Sequence, residues 1–362
     1  MSLPEIAWFA ALCDDDVEQL GVAAPGLLSS WDHCRTIVSA AEDGGFDNVL
    51  LPSGYSLGID STAFAAAVAT QTRRIRLLLA LRTGELVVPQ LARQLATVDQ
   101  IAGGRLTVNV ISSDIPGERP LPSEDRYRRT LETMAALRDL LDGRPVELHG
   151  EHVDLQIDPP RVRPVAGRCP PFYFGGLSEA ARDCAAAGAD VYLMWPDTLD
   201  AVEQVVADMR SRAARVGRTL RFGWRSHVIV RETEAEARAA ARRLVARLDD
   251  EVGATIRARS LDSSSTGVRR QAELRDESDD EGYVDRHLWT GVGRARSGAG
   301  AAIVGDPDQV RERIRELHTA GIDAFILSGY PHVAECDLFA RHVLARLDHG
   351  PLDIEPQPVA LD

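Results

Sequence analysis

Near its C-terminal end the chain carries Ser328-Gly329-Tyr330-Pro331-His332, and about a hundred residues earlier Arg225-Ser226-His227 inside the strand-like run 221–231. Strand side chains alternate between faces, so Arg225 and His227 share one face. Tyr330 and His332 do the same if the apolar strand 324–327 runs straight on. A lone Arg or His beside a strand is ordinarily structural or exposed. Guanidinium, imidazole and phenol groups gathered at two strand ends make a poor core and a good pocket for an anion. Ends of barrel strands carry chemistry, whereas the opposite face carries stability.

The elements that must hold these residues alternate. Short apolar strands are expected at 6–10, 48–51, 75–81, 106–111, 172–174, 191–195, 222–230 and 324–327, with helices between them, among them 89–102, 128–141, 199–216, 234–248 and 307–319. Thr233 followed by Glu236 reads as a capping box, and Pro89 suits a first helical position. Gly103-Gly104, Gly188 and Gly321 read as C-cap signals. Eight strands with intervening helices point to an α/β fold, a (β/α)8 TIM barrel in one domain over 1–362. No GxGxxG or P-loop pattern follows a strand, which argues against a Rossmann enzyme.

The 362 residues are 44% hydrophobic, enough for a large core, and the formal net charge is −14. A field of that sign disfavours nucleic acid and anionic membranes as partners, so an anionic ligand needs a local basic pocket. The five cysteines, Cys13, Cys34, Cys169, Cys184 and Cys336, are scattered and never in CxxC spacing. That fits a reducing cytoplasm and gives no zinc signature. Neither a signal peptide nor a membrane span is read from the chain.

Two stretches interrupt the rhythm. Residues 142–171 are rich in Pro and Gly, with a small hairpin expected at 146–157. Its His149 and His152 read as turn residues rather than a metal pair, so no metal site is assigned. Residues 249–300 are serine-rich at 260–265, charged at 275–281, and end in Arg294-Ala295-Arg296-Ser297-Gly298-Ala299-Gly300. A long glycine-bearing insertion at a barrel mouth reads as a lid or binding loop, the other reading being surface disorder.

These residues carry a resemblance. The run Pro170-Pro171-Phe172-Tyr173-Phe174-Gly175-Gly176 is similar to the bacterial-luciferase-type flavin monooxygenases. So are Tyr192-Leu193-Met194-Trp195, the run 225–233, Leu288-Trp289-Thr290-Gly291-Val292-Gly293 and the run 328–332. Within that group the chain most resembles the two-component alkanesulfonate monooxygenases, over roughly residues 8–348.

The resemblance implies an enzyme that uses reduced FMN as a diffusible co-substrate, supplied by a separate NAD(P)H-dependent flavin reductase. Reduced FMN reacts with O2 to give a flavin (hydro)peroxide, and the carbon–sulfur bond of an organosulfonate breaks to an aldehyde and sulfite. It also implies a homo-oligomer, a dimer or tetramer. The pocket residues fall on Trp195, Arg225, His227, Arg296, Tyr330 and His332. Arg225 and Arg296 can neutralise a sulfonate through charge-assisted hydrogen bonds. His227 has a pKa that can be tuned near neutrality for proton transfer, Tyr330 can donate to an oxyanion, and Trp195 offers a wall against water. The flavin phosphate is expected on Gly176-Leu177-Ser178, where a strand hands over to a helix N-terminus. By resemblance, Ala80, Asn109 and Tyr127 also approach the flavin.

The chain departs from that pattern in three places. Leu57 stands where those enzymes carry a cysteine, Cys13 falls about where they carry a histidine, and the loop 112–118 is shortened and altered. A more polar sulfonate, such as a sulfonated sugar like sulfoquinovose, therefore rivals a simple alkanesulfonate. Two alternatives keep the barrel but change its use: a luciferase-like enzyme acting on a non-sulfonate substrate, or a non-enzymatic barrel that sequesters flavin.

Overall fold

The computed structural model describes residues 3–14, 16–24, 26, 28–55, 58–258 and 265–361. Among them, parallel strands β1 (Glu5–Phe9), β2 (Asn48–Leu51), β3 (Arg76–Arg82) and β4 (Leu106–Ile111) follow one another in the sheet. Strands β5 (Val146–His149) and β6 (Asp154–Ile157) form a separate antiparallel hairpin, as expected within 142–171. The main sheet continues through β7 (Phe172–Gly175), β8 (Val191–Met194) and β9 (Arg221–Val230). Strand β12 (Ala324–Ser328) lies between β9 and β1, and β8 pairs with β9, so these parallel strands close into a (β/α)8 TIM barrel.

The helices cover the outside: α1 (Trp31–Gly44), α2 (Ser61–Ala69), α3 (Val88–Ala102), α4 (Ser123–Asp142), α5 (Glu179–Gly188), α6 (Leu199–Arg215) and α7 (Glu234–Val245), then α8 (Asp250–Ala258), α9 (Thr266–Asp276), α10 (Pro307–Thr319) and α11 (His332–His342). Helix α1 shows why they pack. Cys34, Ile37, Val38 and Ala41 fall on one apolar stripe and are buried, while Ser30 caps the first turn and Gly45, at φ 86°, closes the last. The Thr233–Glu236 capping box is present on α7.

Three expectations are corrected. Strand β12 stops at Ser328 and α11 opens at His332, so Tyr330 and His332 are not alternate residues of one strand. They lie in the turn and the first helical turn that follow. Gly188 is the last residue of α5 rather than a left-handed cap; a Cβ there would lie 2.4 Å from the Met134 methyl, so the glycine serves close packing of α5 on α4. His149 is a strand residue of β5, hydrogen-bonded to Asp154 across the hairpin at 2.8 Å.

The insertion at 249–300 is built, not disordered, where it is described. Beyond α8 and α9 it supplies β10 (Leu288–Trp289), which pairs antiparallel with β11 (Ala302–Gly305). Strand β11 in turn adds in parallel to the far half of β9, with Ala302 opposite His227 and Gly305 opposite Val230. Both strands were missed in the sequence. The serine-rich stretch up to Ser264 and Leu57 lie outside the described residues. Among those described, no helix is long and apolar enough to cross a membrane.

Candidate active site

A cavity of about 540 Å³ opens at the C-terminal end of the barrel strands, a size in the range of small-molecule and cofactor sites. Ala80, Asn109, Tyr127, Gly176, Leu177, Ser178, Trp195, Arg225 and Arg296 all line it. His227, Tyr330 and His332 do not; they form a buried layer in contact with one another beside it.

One end of the cavity is a helix N-terminus. Strand β7 ends at Gly175, and Ser178 caps α5 with its hydroxyl accepting from Ala181 N at 3.3 Å. A Cβ on Gly175 would stand 2.2 Å from the Leu193 carbonyl oxygen, and one on Gly176 2.6 Å from the Ala181 Cβ, so the turn packs at a closeness only glycine permits. Tyr192, which sequence reasoning left as an apolar strand residue, donates its hydroxyl to the Gly176 carbonyl at 2.7 Å and fixes the turn from below. The first amides of α5 lack intrahelical partners and favour an anion. Asn109 and Ala80 are register partners on β4 and β3 and form the adjoining wall.

The other end is cationic. Arg225 is only 7% exposed, and burial drags its guanidinium down to about 10. Its hydrogen bonds run to the Ser226 carbonyl and to Ser328 Oγ at 2.9 Å, and its Cζ lies 4.4 Å from the centre of the Phe9 ring. Among the described residues no carboxylate forms an ion pair with it. A buried cation of this kind is costly unless an anionic ligand completes its coordination. Arg296 reaches the same cavity, its Cζ 5.9 Å from the Tyr330 ring centre.

Behind Arg225, the His227 ring stacks on Tyr330 with centroids 5.4 Å apart, and Tyr330 meets His332 edge-on at 5.1 Å. His227 Nδ1 contacts Ser328 Oγ at 2.8 Å. Its Nε2, the Tyr330 hydroxyl and His332 Nε2 are buried and make no hydrogen bond of good geometry. Burial, then the fields of Arg225 and His332, hold His227 well below the usual imidazole range. Burial thus favours the neutral ring, with a hydrogen bond to the Ala299 backbone opposing it. Burial likewise lowers His332, against the pull of Asp16, and raises the Tyr330 phenol, with Arg296 opposing.

Asp16 belongs to this layer, which the sequence did not disclose. Its Oδ1 accepts from His332 Nδ1 at 2.8 Å and from the His332 backbone amide at 2.7 Å. The partners are 316 residues apart in sequence, so no local pattern links them. Of the departures noted above, Cys13 has its thiol pushed up to about 11 by burial, and Ser112 and Asp114 of the altered loop line the cavity.

The insertion closes the cavity's outer wall with Ser265, Thr266, Gly267, Arg296, Gly298 and Ala299. It is docked, not draped. Arg270 pairs with both Asp197 carboxylate oxygens at 2.8 and 2.9 Å, and buried Gln271 bridges the Pro196 carbonyl and the Gly300 amide. A Cβ on Gly267 would lie 2.7 Å from the Trp195 ring, so α9 rests directly on that indole. By contrast the motif 288–293 lines no part of the cavity; its Trp289 is buried and bonded to the Glu281 carbonyl, which anchors the insertion from outside.

A barrel carrying this site at its strand ends defines a class, and the match is direct: residues 9–324 fit the luciferase-like monooxygenase family, and the chain belongs to it. It is an enzyme of that family. The chain is 61% identical over 357 residues to a sulfoquinovose monooxygenase from Novosphingobium aromaticivorans, covering 97% of this chain and 98% of the relative. A second sulfoquinovose monooxygenase, from Agrobacterium fabrum, is 46% identical over 95% of this chain and 89% of its own length. Among solved structures, DmoA from Hyphomicrobium sulfonivorans superposes with a TM-score of 0.79 at 16% identity, covering 98% of this chain and 91% of that one. That last likeness speaks for the fold.

Proposed function

We propose that this protein is a reduced-FMN- and O2-dependent monooxygenase that cleaves the carbon–sulfur bond of a hydroxylated organosulfonate, with sulfoquinovose as the first substrate to test. The balanced reaction converts the sulfonate, O2 and reduced FMN into an aldehyde, hydrogen sulfite, oxidised FMN and water. The observation that carries the reading is Arg225: a buried guanidinium that no carboxylate among the described residues pairs with, lining a cavity whose far end is a glycine-built helix N-terminus. That pairing suits two anions at once, a phosphate at one end and a sulfonate at the other. The names of the two relatives favour a sugar sulfonate over a simple alkanesulfonate.

Reduced FMN, when bound, supplies the electrons that activate O2. Gly176, Leu177 and Ser178 would hold its phosphate, with Ala80, Asn109 and Tyr127 beside the ring; the cradle around Gly176, which a Cβ would fill, suits a group that must approach the backbone closely. Arg225 and Arg296 orient the sulfonate and neutralise its charge as sulfite departs. Trp195, with α9 resting on it, excludes water from the reacting groups. His227 and Tyr330, in the layer behind Arg225, would relay protons to the site.

The test is an aerobic assay with a flavin reductase, NADH, FMN and a panel of sulfonates that includes sulfoquinovose and short alkanesulfonates. Sulfite release dependent on this protein is the expected result, fastest with the hydroxylated sulfonate. Reduced-flavin binding without sulfite from any member of the panel would overturn the reading in favour of another substrate class or of flavin sequestration.

A further inference from the structure

We propose that Asp16 and Ser328 are positioning residues that lock the two buried histidines in opposite tautomers, His332 as a hydrogen-bond acceptor and His227 as a donor, on either side of Tyr330. The consequence for turnover rests on the sulfonate reading above; the tautomers themselves do not.

The assignment follows from hydrogen-bond bookkeeping at two atoms. Asp16 Oδ1 receives both the His332 backbone amide and His332 Nδ1, while Oδ2 faces His33 Nε2 at 2.8 Å. A carboxylate that already gathers these donors has no proton to give, so Nδ1 of His332 carries the hydrogen and Nε2 is a bare lone pair. Hydrogen bonds from His332 and His33 outweigh the upward push of burial and keep the Asp16 carboxyl below its ordinary range, consistent with that charge state. Asp16 also sits at the first amide of α11, where the helix end favours negative charge.

Ser328 works the other way. Arg225 Nη2 can only donate, so Ser328 Oγ accepts from it at 2.9 Å. The single hydroxyl proton of Ser328 then has His227 Nδ1, at 2.8 Å, as its partner. Ser328 Oγ keeps a second lone pair, so the choice falls to the other ring nitrogen: with Nδ1 turned to Ser328, it is Nε2 that donates to the Ala299 carbonyl, which leaves Nδ1 of His227 the acceptor. The two ring atoms left over are His227 Nε2, which faces the Ala299 carbonyl, and His332 Nε2; with the Tyr330 hydroxyl they make no other hydrogen bond of good geometry. The layer thus offers one N–H donor, one nitrogen acceptor and one hydroxyl that can serve as either. An all-donor layer would suit a bare anion; this one suits an oxyanion with a hydroxyl or a transferable proton beside it.

The direct test is the histidine nitrogen spectrum of the wild-type protein, with the His227 and His332 signals identified by their loss in His227→Asn and His332→Asn. Nδ1–H on His332 and Nε2–H on His227, both neutral, are expected; the same tautomer on both rings would overturn the assignment. Asp16→Ala removes the acceptor and should abolish the His332 Nδ1–H signature. It should also lower kcat by about 10- to 100-fold with the sulfonate KM changed only a few-fold. Asp16→Asn retains a carbonyl oxygen and should restore both. An Asp16→Ala protein that keeps the signature or full kcat refutes the positioning role, and if that variant does not fold, the wild-type spectrum still decides. Should the spectrum match while no sulfonate turns over, the tautomers stand and the substrate assignment falls.

Discussion

The two ends of this barrel handle buried polar groups in opposite ways. At the N-terminal end, Glu5 is buried and fully engaged: it accepts from the Tyr173 hydroxyl at 2.9 Å, the Asn48 amide at 3.3 Å and the Leu352 backbone at 3.1 Å, with Arg76 at 3.8 Å. Thr107 extends the network from β4. At the C-terminal end, no carboxylate among the described residues pairs with Arg225, and the Tyr330 hydroxyl and His332 Nε2 make no hydrogen bond of good geometry. A satisfied network ties strands together, whereas an unsatisfied one is a standing cost that a ligand removes. Neither polarity nor a lone unpaired atom marks a site, since buried Arg138 and Trp8 carry unpaired nitrogens too; the clustering of such groups behind a cavity-lining guanidinium does.

Substitutions at the two ends should separate activity from stability. Arg225→Ala is expected to have the largest effect, lowering kcat/KM for sulfonates by about 2–5 kcal/mol, or roughly 30- to several-thousand-fold. Its melting temperature should stay near wild type, because no carboxylate is left stranded. A variant that melts much earlier and keeps its kcat/KM would reverse the contrast. Next, Arg296→Ala should lower coupled turnover by about 100-fold, diverting reducing equivalents to H2O2, while reduced-FMN affinity stays within a few-fold. Anaerobic flavin titration and a sulfite-to-NADH ratio check both parts.

Glu5→Ala should do the reverse. It strands Tyr173, Asn48 and the Leu352 amide, at about 3–5 kcal/mol of stability, and denaturant titration should show it while the folded fraction keeps its kcat. An active-site role for Glu5 would appear as lost kcat at full folding.

The two ends also respond to pH with opposite sign. Native His227 stays neutral while the unfolded chain takes up a proton at about 6.5. Stability tied to it is therefore lost as pH falls below that value, by about 1.4 kcal/mol per pH unit while the native ring remains neutral. For Glu5, burial outweighs its hydrogen bonds and raises the carboxyl above 4.5, so its contribution is present at low pH and is lost as pH rises through the folded value. Melting curves between pH 7.5 and 5.5 should be steeper for wild type than for His227→Asn; equal slopes would mean His227 titrates normally. The smallest effect belongs to the flavin end, where Ser178→Ala removes a helix cap worth about 1 kcal/mol and should weaken FMN binding several-fold, measurable by titration.

The barrel was legible because its signals are local. Strand runs such as 48–51 and 106–111 were readable from composition and flanking turns, and β2 and β4 coincide with them. Period two correctly put Arg225 and His227 on one strand face, and resemblance supplied Ala80, Asn109, Tyr127, Trp195 and Arg296, all of which reach the cavity wall. The Ala302–Gly305 strand was missed because four small and apolar residues directly after a charged, glycine-rich insertion resemble its tail until β9 pairs with them. Tyr330 and His332 were grouped for a wrong reason: no strand continuation joins them, yet the turn after Ser328 brings their rings together.

By itself, then, the sequence determined the eight barrel strands and several of the helices between them, that a charge of −14 requires a local basic pocket, and which side chains could supply it. Those properties depend on neighbours a few positions away or on totals. Only the tertiary structure decided that Asp16 holds His332, that Tyr192 braces the Gly176 turn, and that burial pushes His227 toward its neutral form. Each of these depends on desolvation and on partners brought from distant parts of the chain, and neither quantity exists until the barrel closes.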